Sequence, residues 1–230
     1  LGARVAGISI WLCLLVCLLV SVSVSLLNGF LYTKAKLPLF IAGLSISFVL
    51  GGFLQPLSNN GTIAIPYRYV SWNNSAVKLV VLTVVFLIYG YLFVYTKIGR
   101  QMKAIGAGEE AAVQSGVNTG RMKCLAFVLS GIVSGVLAFM TLLRDLGADS
   151  DTGSMFEFNV MVALVLGGMP MSGGSKARFR FAIYGALTLS AITNGLTLWG
   201  ANGNIQNIVK AGIFIMVLAI GAVFERGKDG

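Results

Sequence analysis

The stretch GRQMKAIGAGEEAAVQSGVNTGRMK, residues 99–123, is a polar segment that lies between two apolar runs. The flanking runs cover residues 79–95 and 124–143, and neither contains a charged side chain. A helix crosses a bilayer with about 20 mostly apolar residues, so each run predicts a transmembrane helix. The stretch between them then lies in water on one side of the membrane. The fold is therefore predicted to be that of a membrane protein with several spans.

Residues 108–116 within this stretch have the pattern of a short helix. Glu109 and Glu110 follow Gly108, and negative charge is favoured in the first turn of a helix by the macrodipole. Gly116 suits the left-handed C′ position that ends many helices. The pattern predicts a helix of two turns whose small side chains, Ala111 and Ala112, allow another protein to approach closely. The residues alone leave open a solvated loop helix without a partner, because short capped helices are common.

The composition places the chain in the membrane class. Of its 230 residues, 57% are hydrophobic and 11% are charged, and the mean hydropathy is +0.86. A soluble domain carries about 25% charged residues, so this chain cannot cover a soluble globule. It has no histidine, which removes the commonest metal ligand and general base. We expect no metal, no cofactor and no catalytic residue.

Further apolar runs complete the predicted fold, an all-α bundle of about six full transmembrane helices. They cover residues 5–27, 37–54, 79–95, 124–143, 181–199 and 205–224. Residues 159–166 are also apolar but stop at Gly167, Gly168 and Pro170, which predicts a broken or re-entrant helix. We expect residues 1–230 to form one transmembrane domain that contains the cytoplasmic loop 97–123. Because residue 1 is leucine, we also expect sequence upstream.

The basic residues predict the orientation. The net charge is +9, from 17 Lys and Arg against 8 Asp and Glu. On a soluble protein this excess would favour nucleic-acid binding. Because cytoplasmic loops of membrane proteins are rich in Lys and Arg, we expect no nucleic-acid partner. With residues 97–123 in the cytoplasm and the broken segment counted as a crossing, 12 of the 17 basic residues are cytoplasmic. The outer face keeps Arg4, Arg68, Lys78, Arg144 and Lys210.

The broken segment is the candidate path for a solute, because unwound backbone at membrane depth lines wet cavities in transporters. The candidate residues combine its glycines with nearby amide and hydroxyl side chains: Asn159, Gly167, Gly168, Gly173, Gly174, Thr193 and Asn194. Such groups suit an uncharged sugar. The alternative is that the glycines make a tight turn between helices and that Asn194 bonds to a neighbouring backbone.

Several motifs resemble those of a known family. Glu110-Ala111-Ala112-xxx-Gly116 resembles the EAA–Gly signature of ABC-importer permeases, the loop that docks into an ATP-hydrolysing subunit. Val165-Leu166-Gly167-Gly168 with Ser172-Gly173-Gly174 resembles a loop of the branch that serves ribose, galactose and related monosaccharides. The likeness covers most of residues 28–224, although residues 55–78 match no motif of the branch.

The resemblance implies a permease subunit of the cell inner membrane that is not itself an enzyme. It implies three partners: an ATP-binding subunit at the cytoplasmic face, an extracytoplasmic solute-binding protein, and a second permease copy. It assigns the ATPase contact to Gly106, Glu109, Glu110, Ala111, Ala112 and Gly116. The nearest phosphate-loop pattern in the chain, Gly173-Gly174-Ser175-Lys176, lacks the spacing that binds ATP.

Other functions stay open at this point. A nucleoside, a branched-chain amino acid or a sugar-derived signal are alternative solutes. An ion-coupled secondary transporter would place an ionisable residue within a span, and the sequence places none near the middle of a predicted span. An intramembrane enzyme lacks an evident acid or base. The residues do not separate a homodimeric from a heterodimeric pore.

Overall fold

The computed structural model describes residues 10–34, 39–57, 63–64, 74–148, 152–169 and 179–226. The helices in this part of the chain are α1 (Ile10–Lys34), α2 (Leu39–Leu57), α3 (Ser75–Tyr95), α4 (Lys97–Ala107), α5 (Glu109–Gln114), α6 (Thr119–Asp145), α7 (Phe156–Leu166), α8 (Phe179–Leu198) and α9 (Gly203–Arg226). Two short strands, β1 (Ile63–Ala64) and β2 (Gly147–Ala148), pair antiparallel. The predicted all-α membrane fold is confirmed.

Four of the described helices, α1, α3, α6 and α8, are long and apolar enough to cross a bilayer. Helices α2 and α7 are shorter apolar helices, and the predicted count of six full spans stays a prediction. Contacts group the chain into two compact units. The first contains Leu1–Met102 and Ala112–Ser154, and the second contains Lys103–Ala111 and Met155–Gly230.

Helices α1 and α6 form the main contact of the first unit, and glycines bring their backbones close together. A Cβ atom at Gly131 would lie 2.8 Å from the Cα of Val22, and one at Gly135 would lie 2.9 Å from the Cα of Leu18. The two helices are therefore antiparallel. Gly131 and Gly135 thus let the backbones of α6 and α1 approach closely.

The end of α1 and the start of α6 lie together. Tyr32 packs against Phe127 with ring centroids 6.1 Å apart, and the Nζ atom of Lys123 lies 5.3 Å from the centre of the Tyr32 ring. Because Lys34 ends α1, basic residues of both helices are at the same end of the pair.

The chain turns sharply between α3 and α4. Thr96 has extended backbone angles, φ −91° and ψ 162°, and Gly99 is buried against the carbonyl group of Phe93. The Tyr89 hydroxyl donates to the Leu129 carbonyl oxygen at 2.7 Å, which ties α3 to α6. These helices and the start of α4 line an apolar cavity of about 300 Å³. The polar stretch thus begins at a fixed turn.

The second unit is built around α7. A Cβ atom at Gly185 would collide with the carbonyl group of Ala163, and one at Gly167 would collide with that of Phe181. Helices α7 and α8 therefore run antiparallel in backbone contact. Helix α9 packs on the start of α7, where the rings of Phe158 and Phe214 meet edge to face at 5.5 Å.

Candidate coupling loop and solute path

The polar stretch of residues 99–123 contains the predicted short helix. Helix α5 begins at Glu109, directly after Gly108, and ends at Gln114. Its six residues make it slightly shorter than the two turns expected. Glu109 and Glu110 occupy its first turn, where they oppose the positive end of the helix dipole.

Helix α5 ends in a Schellman motif. The N–H of Gly116 donates to the Val113 carbonyl at 2.9 Å, and the N–H of Val117 donates to the Ala112 carbonyl at 3.0 Å. Gly116 has φ +78°, a left-handed conformation that costs other residues free energy. The predicted C′ role of Gly116 is confirmed, so the loop has a defined end.

The burial of α5 separates its residues into an inner and an outer set. Ala112 is 3% exposed, whereas Glu109, Glu110, Ala111 and Gly116 are exposed. Ala112 therefore packs against its own chain, and the predicted contact of the two alanines with a partner stays a prediction. Val113 is 54% exposed, an apolar outer residue that the motif comparison missed because the signature leaves its position unspecified.

The residues on either side of α5 hold the loop in place. Gly106 is exposed in the last turn of α4. The N–H of Gly108 donates to the Ala104 carbonyl at 3.2 Å and closes that helix. On the other side, the Asn118 side-chain oxygen accepts from the N–H of Arg121 at 3.1 Å and caps α6. The loop is an ordered element between two long helices.

The candidate path residues fall into two places in the second unit. Asn159, Gly167 and Gly168 belong to α7 and its end. Thr193 and Asn194 lie on α8. Gly173 and Gly174 lie outside the described residues, so their part in the path is not placed.

The glycines of α7 have packing roles. Gly167 allows the backbone contact with α8. Gly168 has φ +82° and ends α7 in a second Schellman motif, because its N–H donates to Val165 and the N–H of Met169 donates to Leu164, both at 3.0 Å. These contacts agree with the alternative in which the glycines shape a tight turn. They also end α7 after eleven residues, as the broken-helix pattern predicted.

The polar residues of α8 bond locally. The Thr193 hydroxyl donates to the Leu189 carbonyl at 2.8 Å. The Asn194 amide donates to the hydroxyl of Ser190 at 3.4 Å, a side-chain partner in place of the backbone partner that the alternative expected. Asn194 is exposed. Its weak bond leaves it available to other partners.

Lys210 lies within a helix of the second unit and is buried there. It was counted with the basic residues of the outer face; it belongs to α9 and is 8% exposed. Its Nζ atom donates to the Asn159 side-chain oxygen at 3.0 Å. The sequence already indicated that Lys210 lies within a helix, because residue 210 falls inside the predicted span of residues 205–224.

Comparison with known proteins places the chain among transport proteins. It is 27% identical over 208 residues to the ribose import permease protein of Escherichia coli (strain K12), an alignment that covers 86% of this chain and 64% of that protein. It is 30% identical over 213 residues to the ribose import permease protein of Bacillus subtilis (strain 168), covering 88% and 64%. The L-arabinose transport system permease protein of Escherichia coli (strain K12) is 28% identical over 208 residues, covering 88% and 62%.

The chain thus spans somewhat less than two thirds of the length of these relatives, at 62–64%. No solved structure matches it. The resemblance to the monosaccharide branch of the importer permeases is confirmed by these similarities. The model of one protein family, described as the branched-chain amino acid transport system / permease component, matches residues 2–218. That match covers most of the sequence, and the chain belongs to this family.

Proposed function

We propose that this chain forms the membrane permease subunit of an ATP-driven ABC importer for a monosaccharide. The observation that carries the proposal is the ordered coupling loop, in which α5 starts with two glutamates and ends at a left-handed glycine. Family membership supports it. The names of the relatives, which mention ribose and L-arabinose, support a pentose or hexose as the solute.

The docking surface for the ATP-binding subunit is the outer face of α5. Glu110, Ala111 and Val113 are exposed there, and they combine charge, small size and one apolar anchor. ATP is hydrolysed in the partner subunit. An extracytoplasmic solute-binding protein delivers the solute, and a second permease copy completes the pore.

The candidate path runs along α7 and α8. Its members are Asn159, Gly167, Gly168, Gly173, Gly174, Thr193 and Asn194. The short α7 and the local bonding of Thr193 and Asn194 support this, because polar groups at membrane depth need protein or water around them. Motion of α5 is transmitted to these helices when the ATPase subunits close.

The proposal is tested by reconstituting the permease in liposomes with the ATP-binding subunit and the binding protein encoded beside it. We expect uptake of ribose, arabinose or galactose that requires ATP and stops with a hydrolysis-deficient ATPase. Uptake of a nucleoside or branched-chain amino acid with the same ATP dependence would keep the importer and change the solute. Uptake driven by an ion gradient without ATP would contradict the proposal.

The orientation makes a separate prediction. We propose that the loop of residues 97–123 is cytoplasmic, which the basic residues at the shared end of α1 and α6 support. In a chain whose Cys13, Cys17 and Cys124 are replaced by serine, a Gln114→Cys variant should react with an impermeant maleimide only after cell lysis. Trp199, 85% exposed at the end of α8, is the matched position.

A Trp199→Cys variant should react in intact cells, because α8 starts at the basic cytoplasmic end and crosses once. Labelling of both positions from the same side would contradict this topology. It would also remove α5 from the reach of a cytoplasmic ATPase.

A further inference from the structure

Lys210 and Asn159 form a polar pair inside the second unit. The lysine is 8% exposed, and its Nζ atom lies 3.0 Å from the Asn159 Oδ1 atom. Among the described residues, no carboxylate lies within ion-pair distance of this Nζ atom. A buried cation held by one neutral amide is costly, so its presence calls for a function.

Lys210 lies within the predicted span of residues 205–224. Lys210 is the eighth residue of α9, which begins at Gly203, so it is about 10 Å along the helix at 1.5 Å per residue. In the register of α7 against α8, in which Ala163 meets Gly185, Asn159 lies one turn away at the level of Leu189. Ionisable residues within a span face the bundle interior or a wet cavity and mark solute pathways.

The chemistry of lysine fixes the orientation of the asparagine. An ammonium group has three donors and no acceptor, so the group of Asn159 that faces it must be the oxygen. The Nδ2 group of Asn159 then points elsewhere with two N–H donors, and Lys210 has two donors beyond the one used. The pair therefore presents mostly donors, with one lone pair left on the Asn159 oxygen. Asn159 is half-buried, so part of its side chain is accessible.

We propose that Asn159 and Lys210 together bind acceptor oxygens of the transported solute. The site takes hydroxyl oxygens of a neutral sugar or carboxylate oxygens of a sugar acid, and it rejects cationic solutes. This inference rests on the proposed permease function, and it adds a lysine and a selection by charge to the candidate path. Lys210 also acts as a positioning residue, because it holds the Asn159 amide in one orientation.

The test measures equilibrium binding to the permease–ATPase complex in lipid nanodiscs, without the solute-binding protein. The probes are D-galactose and D-galacturonate, which share a ring and differ by a hydroxymethyl or a carboxylate group, and D-galactosamine as the cation. In the Lys210→Met variant we expect binding of the first two probes to weaken about tenfold, as for loss of a charge-assisted hydrogen bond.

Two further variants distinguish a hydroxyl oxygen of the solute from a carboxylate oxygen as the acceptor. Lys210→Gln keeps a donor for Asn159 and removes the charge, so it should preserve galactose binding and weaken galacturonate binding if a carboxylate is the natural partner. If a hydroxyl is the natural partner, wild-type protein should already prefer galactose. Asn159→Asp supplies a counter-charge and removes the Nδ2 donors, so binding of both probes should weaken.

Lys78→Met is the matched control, because Lys78 lies in α3 of the other unit. Thermal unfolding in detergent identifies variants that do not fold, and Lys210→Gln keeps the test valid if Lys210→Met is one of them. Folded variants that bind both probes like wild type would overturn the inference and leave a structural tie between α7 and α9. Loss of the permease–ATPase complex in wild-type protein would instead refute the proposed function.

Discussion

A Gly116→Val variant should lose at least about tenfold in ATP-dependent uptake while the transmembrane helices still fold. Gly116 has φ +78°, which costs a residue with a side chain about 1–2 kcal/mol, and a β-branched side chain is restricted further. Because 1.4 kcal/mol is a factor of about ten in an equilibrium, the ratio of closed to open ends of α5 should fall about tenfold. Co-purification of the ATP-binding subunit and uptake into proteoliposomes measure the effect.

Two substitutions control for the change of side chain. Gly116→Asn should keep most of the uptake, because asparagine tolerates the left-handed C′ position. Gly120→Val adds the same side chain in the same loop, where a Cβ atom meets nothing closer than 3.8 Å, and it should have little effect. If Gly116→Val bound the ATPase and transported like wild type, docking at this loop would be refuted.

The coupling loop could be predicted from the sequence because its signals are local. The glutamates after Gly108 and the glycine at 116 act through the dipole and the backbone conformation of one short helix. Each requires no knowledge of the rest of the fold. The burial of Ala112 could not be predicted in this way, because it depends on which face of α5 meets the protein.

The contacts of the second unit could not be predicted because they depend on register between distant segments. Asn159 and Lys210 are 51 residues apart, and no local pattern aligns α7 with α9. Hydropathy placed Lys210 inside an apolar run, but the count of basic residues treated it as an outer residue. A lysine within a predicted span can lie at the membrane surface or inside the helix bundle. The group that it hydrogen-bonds distinguishes the two positions.

Helix α7 links α8 to α9 in the second unit. Its length was predicted from the glycines that end it, whereas its neighbours were found in the structure. It contacts α8 through backbone at Gly167 and α9 through Asn159. In the proposed transport cycle, a short helix held by both neighbours would carry displacement between them. The proposed site and the proposed motion therefore share one element.

A Gly185→Val variant should prevent α7 and α8 from packing and should have the largest effect on folding. Its Cβ atom would overlap the Ala163 carbonyl oxygen, lie 2.7 Å from that carbonyl carbon and lie 3.0 Å from the Gly167 nitrogen. All three are backbone atoms, so no side-chain rotation relieves the overlap. Overpacking of a tight site costs about 1–3 kcal/mol or more.

We expect a strong loss of monodisperse protein in detergent and a lower midpoint of thermal unfolding. Gly195→Val is the matched control, because it lies on the same helix with nothing within 4 Å of its added Cβ. It should purify and unfold like wild type. Equal stability of the two variants would mean that α7 and α8 do not meet at Gly185, and the register that places Asn159 at the level of Leu189 would then be wrong.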